Sequence, residues 1–392
     1  MTRPPAVRPS LKTLTSTLVC FSVSLACAAG PNGPQDGETA ARSDPSPQAA
    51  EPAPAASSRH QGTLLVANKA EATLSFVDLA SGEVVATVPT GEGPHEVAVS
   101  PDGGTAVVAD YGGRTGGSTL TVVDVPGARV VRTVRLGEHT RPHGVAFVDG
   151  RRVAVTTEGS GSLLVVDVEE GSVEAAIPTG QRVSHMVALD PGRGRAYVAN
   201  IGSGSMTVID LAAGKKVADV ATGAGAEGIA VSPADGRVWV TNREADTVTT
   251  VDPETLRIVA TLESKEFPIR AEATADGRWV LVSNAESGTL TVIDAGAGAV
   301  VRTVDLSMES AGADGRLFGD FGASSVPIGI EIAPDGKTAW VAHANADAVQ
   351  VVDLVTWKPV GSLTAGKEPD GMAWSPRAVE RSGSRGEAES SP

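Results

Sequence analysis

A short apolar segment ending in aspartate recurs seven times in this chain, and that recurrence restricts its fold more than any other feature. The copies end at Asp78, Asp124, Asp167, Asp210, Asp252, Asp294 and Asp353, with spacings of 46, 43, 43, 42, 42 and 59 residues. Each copy, such as Leu120-Thr121-Val122-Val123-Asp124, has the β-branched content of a strand. A short turn leads to a second β-rich run, as at residues 83–88, and a Gly-rich connection leads to a third, as at residues 96–100. A turn such as Ser100-Pro101-Asp102-Gly103 closes the unit, and a fourth strand, such as residues 196–200, opens the next. In these turns Pro presets φ, Asp hydrogen-bonds its own backbone and Gly accepts positive φ. Four short antiparallel strands repeated seven times predict an all-β, seven-bladed β-propeller over residues 63–376, with no helix in the domain.

Composition agrees. The 45 glycines, against only 5 Trp, 2 Tyr and 6 Phe, suit tightly turned β-structure built from small residues rather than a helical core. With 32 Lys+Arg against 47 Asp+Glu, the net charge of −15 argues against a nucleic-acid or anionic-membrane binder, both of which need a basic face.

The first residues read as an address. Arg3, Arg8 and Lys12 precede an apolar run, residues 14–26, that is short for a membrane span and suited to a signal peptide. Ala26 and Ala28 fit ordinary cleavage. Leu25-Ala26-Cys27 also resembles a bacterial lipobox in which Cys27 is lipidated, although Ser24 stands where a branched aliphatic is expected. The expected organisation is a signal peptide at 1–26, a Pro/Ala/Ser-rich disordered tether at 27–62, the propeller at 63–376 and a disordered tail at 377–392. The chain is therefore expected to be exported, to the periplasm or cell surface, with membrane attachment through the lipid anchor alone. Both cysteines, Cys20 and Cys27, lie in this leader, so the propeller has no disulfide and no catalytic thiol.

The Val-Ala-Asn, Val-Ile-Asp and Ser-Pro-Asp-Gly segments resemble the YVTN-type repeats of the YncE-like propeller family across residues 63–376. The resemblance is specific for fold and implies little about activity, because the family is diverse and mostly reported as binding or uncharacterised proteins. The Gly-His and Trp-Asp signature of WD40 repeats is missing, as are the tryptophan docking repeats of eight-bladed quinoprotein dehydrogenases. The chain enters on residues 63–68 and leaves on residues 371–375, which match an innermost strand. The C-terminal strand is thus expected to complete the first blade and remove the open edge.

Loops that enter the innermost strands and leave the next ones open on one face of a propeller. The residues just before the innermost strands read His95, His143, His185, Glu227, Arg270, Ile328 and Asp370. At the end of the following strand stand Asn68, Asp110, Thr157, Asn200, Asn242, Asn284 and His343. His95, His143, His185 and Glu227 are the candidate ligands of a divalent transition metal such as zinc or copper. The other reading is that Pro-His is an inherited repeat residue that caps each blade. Arg270, Asp370, His343, Asn200 and Asn242 are candidate ligand-binding residues on the same face. So are Phe318 and Phe321, which lie in an insertion of about 17 residues within 306–326, with Asp314, Arg316 and Asp320 nearby. That insertion reads as a lid over the channel mouth or as a tolerated surface loop. A second extension, residues 111–118, is Gly-rich and carries Arg114. The repeated aspartates read as turn caps. Gly223-Ala224-Gly225-Ala226-Glu227-Gly228 has the spacing of a dinucleotide fingerprint but joins two strands, so it is rejected.

Two function classes follow. One is a monomeric, non-enzymatic propeller that binds a protein or small-molecule ligand through the His-bearing channel face. The other is a metal-dependent hydrolase or lyase, in which Glu227 is the base and Arg270 the anion anchor. Seven-bladed lactonases look similar in fold and carry Pro-His before an inner strand, but no motif here transfers their activity. No catalytic residue is assigned.

Overall fold

Why one repeat makes one blade is visible in burial. In the second and third strands of each blade almost every residue is enclosed, because a neighbouring blade covers both faces; Leu74, Ser75, Phe76 and Val77 are all buried. The fourth strand, such as Glu83–Pro89, lies at the rim and is largely exposed. The computed structural model describes residues 60–380 apart from 313, 314 and 317. The signal peptide, the lipidation site Cys27, most of the tether and residues 381–392 lie outside the described residues.

Twenty-eight strands form seven four-stranded antiparallel sheets, and the described residues contain no α-helix. Blade 1 combines Pro369–Ser375 with Thr63–Asn68, Thr73–Asp78 and Glu83–Pro89. Blades 2 to 7 begin on the inner strands Pro94–Val99, Pro142–Phe147, Ser184–Asp190, Ala226–Val231, Pro268–Ala273 and Pro327–Ile332. The expected closure is present: Leu64 pairs with Trp374, Leu65 with Ala373 and Val66 with Met372. At the same seam Lys69 N donates to Glu368 O at 3.1 Å. Residues on either side of the ring also touch it. Trp374 Nε1 donates to Gln61 O at 3.1 Å, and Glu380 N donates to Pro126 O at 2.8 Å.

The core lies between blades. Leu65 and Phe76 of blade 1 pack on Val97, Ala106 and Val108 of blade 2, and the other seams repeat the pattern. Each fully buried Leu, Val or Phe stabilises the ring by roughly 1.5–3 kcal/mol. Every outer strand carries a β-bulge against its neighbour, as between Phe76 and Val77. The bulges break the flat edge that would otherwise pair with another chain, although Val85, Val131 and Val259 are about half exposed there.

The repeated aspartates are turn caps. The carboxylates of Asp78, Asp167, Asp210, Asp252, Asp294 and Asp353 accept backbone N–H groups two or three residues on, and Asp124 pairs with Arg129 at 2.7 Å. A second device was not foreseen. Asn68 donates to Thr73 and Ser75, and Asn242 and Asn284 likewise bond the hydroxyls five and seven residues on. Asn68 Oδ1 also accepts Gly366 N at 2.9 Å, stitching the loop before the inner strand to the blade.

Blade 2 has Asp110 in this role, accepting from Thr119, Thr121 and Gly91 N. Burial pushes its carboxyl up to about 6, against the pull of those hydrogen bonds. The folded value exceeds that of an unfolded Asp, so folding favours the protonated form. That contribution is complete below about pH 4 and is lost as pH rises through about 6. Asp110→Asn supplies the same acceptor and donors as Asn68 without a charge. It should raise stability by up to about 2–3 kcal/mol near pH 7, from about two pKa units, and flatten the dependence of Tm on pH between about 4 and 6. A melting series across pH checks this; an unchanged or lower Tm at neutral pH would exclude it.

Candidate functional site

The site begins with a bulge. In blade 2 Pro94 pairs with Asp110 and Val97 with Val108, so His95 and Glu96 together stand opposite Ala109. The extra residue re-aims the start of the inner strand towards the channel mouth. Equivalent breaks occur at Pro142/Val145, Ser184/Val187, Ala226/Ile229 and Pro327/Ile330. Pairing of Pro268 with Asn284 and Ala271 with Val282 corrects the register expected for blade 6. Ile269, not Arg270, is the counterpart of His95. Arg270 stands one residue further in, level with Glu96. At that inner level four blades carry glycine, because neighbouring inner strands nearly touch: a Cβ on Gly329 would lie 2.1 Å from Asp370 O.

The outer ring at the mouth is therefore His95, His143, His185, Glu227, Ile269, Ile328 and Asp370. The second ring is also displaced by one residue from its expected place. Asn200, Asn242 and His343 do not reach the mouth, which corrects their assignment as ligand contacts. Asn200 bonds Ser184 and Thr207, Asn242 bonds Thr247 and Thr249, and His343 Nδ1 meets Ser325 Oγ at 2.8 Å, all within the blades. Their successors face the mouth instead: Lys69, Tyr111, Glu158, Ile201 and Arg243 line a cavity of about 470 Å³ together with the first ring, Arg270 and Phe318. Proline in register would have given Ile269, since Pro94, Pro142, Pro268, Pro327 and Pro369 all occupy the same position. Nothing comparable marks Glu158.

The structure brings the three histidines together. Ring centroids are 4.6 Å apart for His95 and His143, and 3.6 Å for His143 and His185. Tyr111 stacks on His95 at 4.3 Å. Burial, followed by the Lys69 charge, lowers His95 to about 3. Burial and the neighbouring His185 hold His143 well below the ordinary histidine range. His185 goes the other way. Burial opposes its charge, but Glu227 and Glu158 outweigh it and raise the pKa. Its Nδ1 lies 2.5 Å from Glu158 Oε1, and its Nε2 lies 3.1 Å from Glu227 Oε1. Among the described residues His143, Glu158 and His185 each offer a ligand atom, all within 4.8 Å of one another. Glu227, expected as a metal ligand, is instead engaged by Arg243 at 2.5 Å as well as by His185.

Arg270 ties the inner level together. It donates from Nε and Nη2 to Glu96 Oε1 at 3.0 and 2.5 Å, and stands 3.5 Å from both Glu227 and Asp370. Lys69 reaches Asp370 at 3.3 Å. Burial would raise Glu227, yet His185, Arg243 and Arg270 bring it down to about 2. The remaining arc of the mouth is apolar: Ile269, Ala285, Val326, Ile328 and Ala344 are buried beneath Phe267, Phe318 and Phe321. The insertion is fastened there by the bidentate pair of Arg316 with Asp347, at 2.6 and 2.7 Å. Phe318 stacks on Phe321 at 5.2 Å; Phe318 reaches the cavity and Phe321 packs behind it. Further along the inner strands Glu272 and Glu331 accept Ile332 N and Trp374 N from the next blade. Burial raises both, Glu331 to about 8.

Removing the Arg270 charge leaves the buried Glu96 without its cation and takes away the charge that Glu227 and Asp370 share with it. Arg270→Met should destabilise the ring by roughly 3–5 kcal/mol, read as a shift in the denaturant midpoint. A loss below about 1 kcal/mol, the level of a surface pair, would show that the network is not held by this residue.

Comparison with known proteins bears on the fold. It is similar to a functionally unknown protein from Desulfotomaculum acetoxidans DSM 771, with a TM-score of 0.67, 14% identity and coverage of 81% of this chain and 100% of that one. It is also similar to Kuenenia stuttgartiensis hydrazine synthase (TM-score 0.58, 19% identity, 72% and 90% coverage). The dihydro-heme d1 dehydrogenase NirN, solved in complex with DHE, is a third such structure (TM-score 0.55, 19% identity, 85% and 79% coverage). At these identities the likeness is one of fold alone. No curated protein sequence matches the chain. The profile of the YNCE-like beta-propeller family matches residues 49–153 and 151–315, most of the sequence. Together with the closed ring of seven four-stranded blades, this shows that the chain belongs to the YNCE-like beta-propeller family.

Proposed function

We propose that this protein is a binding propeller that takes a small amphipathic anion in its mouth cavity. One observation carries this reading. Arg243 Nε and Arg270 Nη1 are buried N–H donors without a hydrogen-bond partner, on the wall of a cavity whose neighbouring arc is Ile269, Ile328 and Phe318. Buried donors are seldom left unmade, because each costs about 1–3 kcal/mol. A carboxylate or similar oxygen acceptor would satisfy them, while its apolar body rests on the isoleucines and the Phe318 ring. A hydrolase or lyase reading has less support. Glu227, its expected base, is paired with Arg243 and held far into the ionised range. We also propose export with anchoring through Cys27, on the basis of the leader sequence.

The fluorescent probe 8-anilinonaphthalene-1-sulfonate has the required aromatic body and anionic end. It should bind saturably at one site per chain. Ile328→Asp and Phe318→Ala should each weaken it by about tenfold or more, the equivalent of about 1.4 kcal/mol, while circular dichroism shows the ring still folded. Binding that is unsaturable, or untouched by both substitutions, would refute the proposal. Separately, Cys27→Ser should move the protein from the membrane fraction to the soluble exported fraction; unchanged membrane association would contradict the anchor.

A further inference from the structure

We infer that the same cavity holds one divalent transition-metal ion on His143, Glu158 and His185, and that Glu227 is the carboxylate that orients His185 on it. This rests on the reading of the cavity as a binding site and specifies what its polar end contains.

The geometry carries the inference in three steps. First, the ligand atoms of the three residues are already gathered within 4.8 Å of one another, at the reach of one ion. They come from three positions that the fold fixes: the inner-strand bulges of blades 3 and 4, and the end of the second strand of blade 3. Secondly, the donors are incompletely satisfied without an ion. His143 is 1% exposed, and its Nδ1 is buried with no hydrogen-bond partner. Its ring lies 3.6 Å from that of His185, so two imidazoles crowd a carboxylate that can serve only one of them.

Thirdly, the outer groups are those that orient metal ligands. Metal-bound imidazoles commonly hold a carboxylate on their other nitrogen, and bound carboxylates are themselves hydrogen-bonded. His185 has Glu158 at Nδ1 and Glu227 at Nε2, 3.1 Å away. Glu227 is fixed in turn by Arg243 and lies 3.5 Å from Arg270. Tyr111 donates its hydroxyl to Glu158 Oε2 at 2.7 Å, and the ion would take the place of the proton now held between Glu158 Oε1 and His185 Nδ1, 2.5 Å apart. His95 is set apart. Its Nδ1 faces the Gly93 carbonyl at 3.0 Å, and its ring is sandwiched against Tyr111.

Two imidazoles and one carboxylate, with no thiolate, suit zinc, copper(II), nickel or cobalt(II) and disfavour copper(I) or calcium. Three protein ligands leave a position open to the cavity, where the anionic end of a bound molecule would complete the shell.

The test uses the purified chelator-treated protein titrated with Co²⁺ and Zn²⁺, following visible absorption and heat. One Co²⁺ per chain should bind, with the d–d spectrum of a low-coordinate nitrogen and oxygen site, and Zn²⁺ should displace it. His143→Ala and Glu158→Gln should lower affinity at least tenfold. Glu227→Gln and Tyr111→Phe, which leave the ligands in place, should lower it by about 10–100-fold. His139→Ala, a half-buried histidine away from the cavity and bonded to Ser160, should change nothing. Failure of the folded protein to bind either ion saturably would overturn the inference. So would binding that is indifferent to Glu158→Gln, a change near the cavity rim that spares the histidines. Titration with the anilinonaphthalene probe separates the two proposals. Probe binding without metal sinks the metal site alone, and metal binding without the probe sinks the anion reading alone.

Discussion

Seven inner strands converge on one axis, and their neighbours approach until backbone meets backbone. A Cβ on Gly371 would lie 2.4 Å from His95 O, and one on Gly228 would lie 2.6 Å from Ile269 O. Side chains are excluded at this level on four blades. They appear there only as Glu96, Met186 and Arg270: Arg270 lines the mouth, Glu96 pairs with it, and Met186 packs on the core between blades 4 and 5. The bulge that begins each inner strand has the same origin. A strand entering so crowded a centre cannot keep its ladder to the last residue, and the unpaired residue turns towards the opening. The site is thus a consequence of closing the ring.

That geometry gathers more charge than water would leave unpaired, and the electrostatics decide which groups carry it. His95 and His143 are held neutral by burial, so the three rings need not repel. His185 is the exception because it has a carboxylate on each side. The carboxylates Glu96, Glu227 and Asp370 are compensated by Arg270, Arg243 and Lys69, while burial pushes up Glu272, Glu331 and, against the pull of Arg270, Glu96. The cavity is therefore a set of matched pairs with a few orphan donors, an arrangement suited to holding a ligand in one orientation.

The blade count, the closing strand and the aspartate caps were legible because each is repeated, and a periodic signal survives errors at any single copy. The site was legible only to within one residue. Aligning Arg270 with His95 ignored Pro268, which fixes the register. Aligning Asn200 and Asn242 as mouth residues overlooked that a buried amide beside hydroxyls five and seven residues on would serve its own blade, and His343 at the same position turns to Ser325. Glu158, Lys69 and Arg243 follow those positions and share no residue type, so no pattern announces them. Their role comes from tertiary convergence, in which residues about one blade apart meet across the axis.

The repeat is also why the departures matter. Sevenfold duplication supplies seven equivalent positions at the mouth, and chemistry can enter only where copies differ. Blades 1 to 5 place Asp, His, His, His and Glu there, whereas blades 6 and 7 place isoleucine. The same two blades receive the long insertion, whose Phe318 and Phe321 settle on Ile269 and Ile328 with Phe267. An aromatic loop of this kind would meet mostly charged and imidazole side chains over blades 1 to 5, and a polar ring completed through blades 6 and 7 would be covered by it. The insertion and the two isoleucines therefore make sense only together. They divide a nearly symmetric opening into a charged arc and an apolar arc, and on the proposed binding role that division would give a bound molecule a head and a tail.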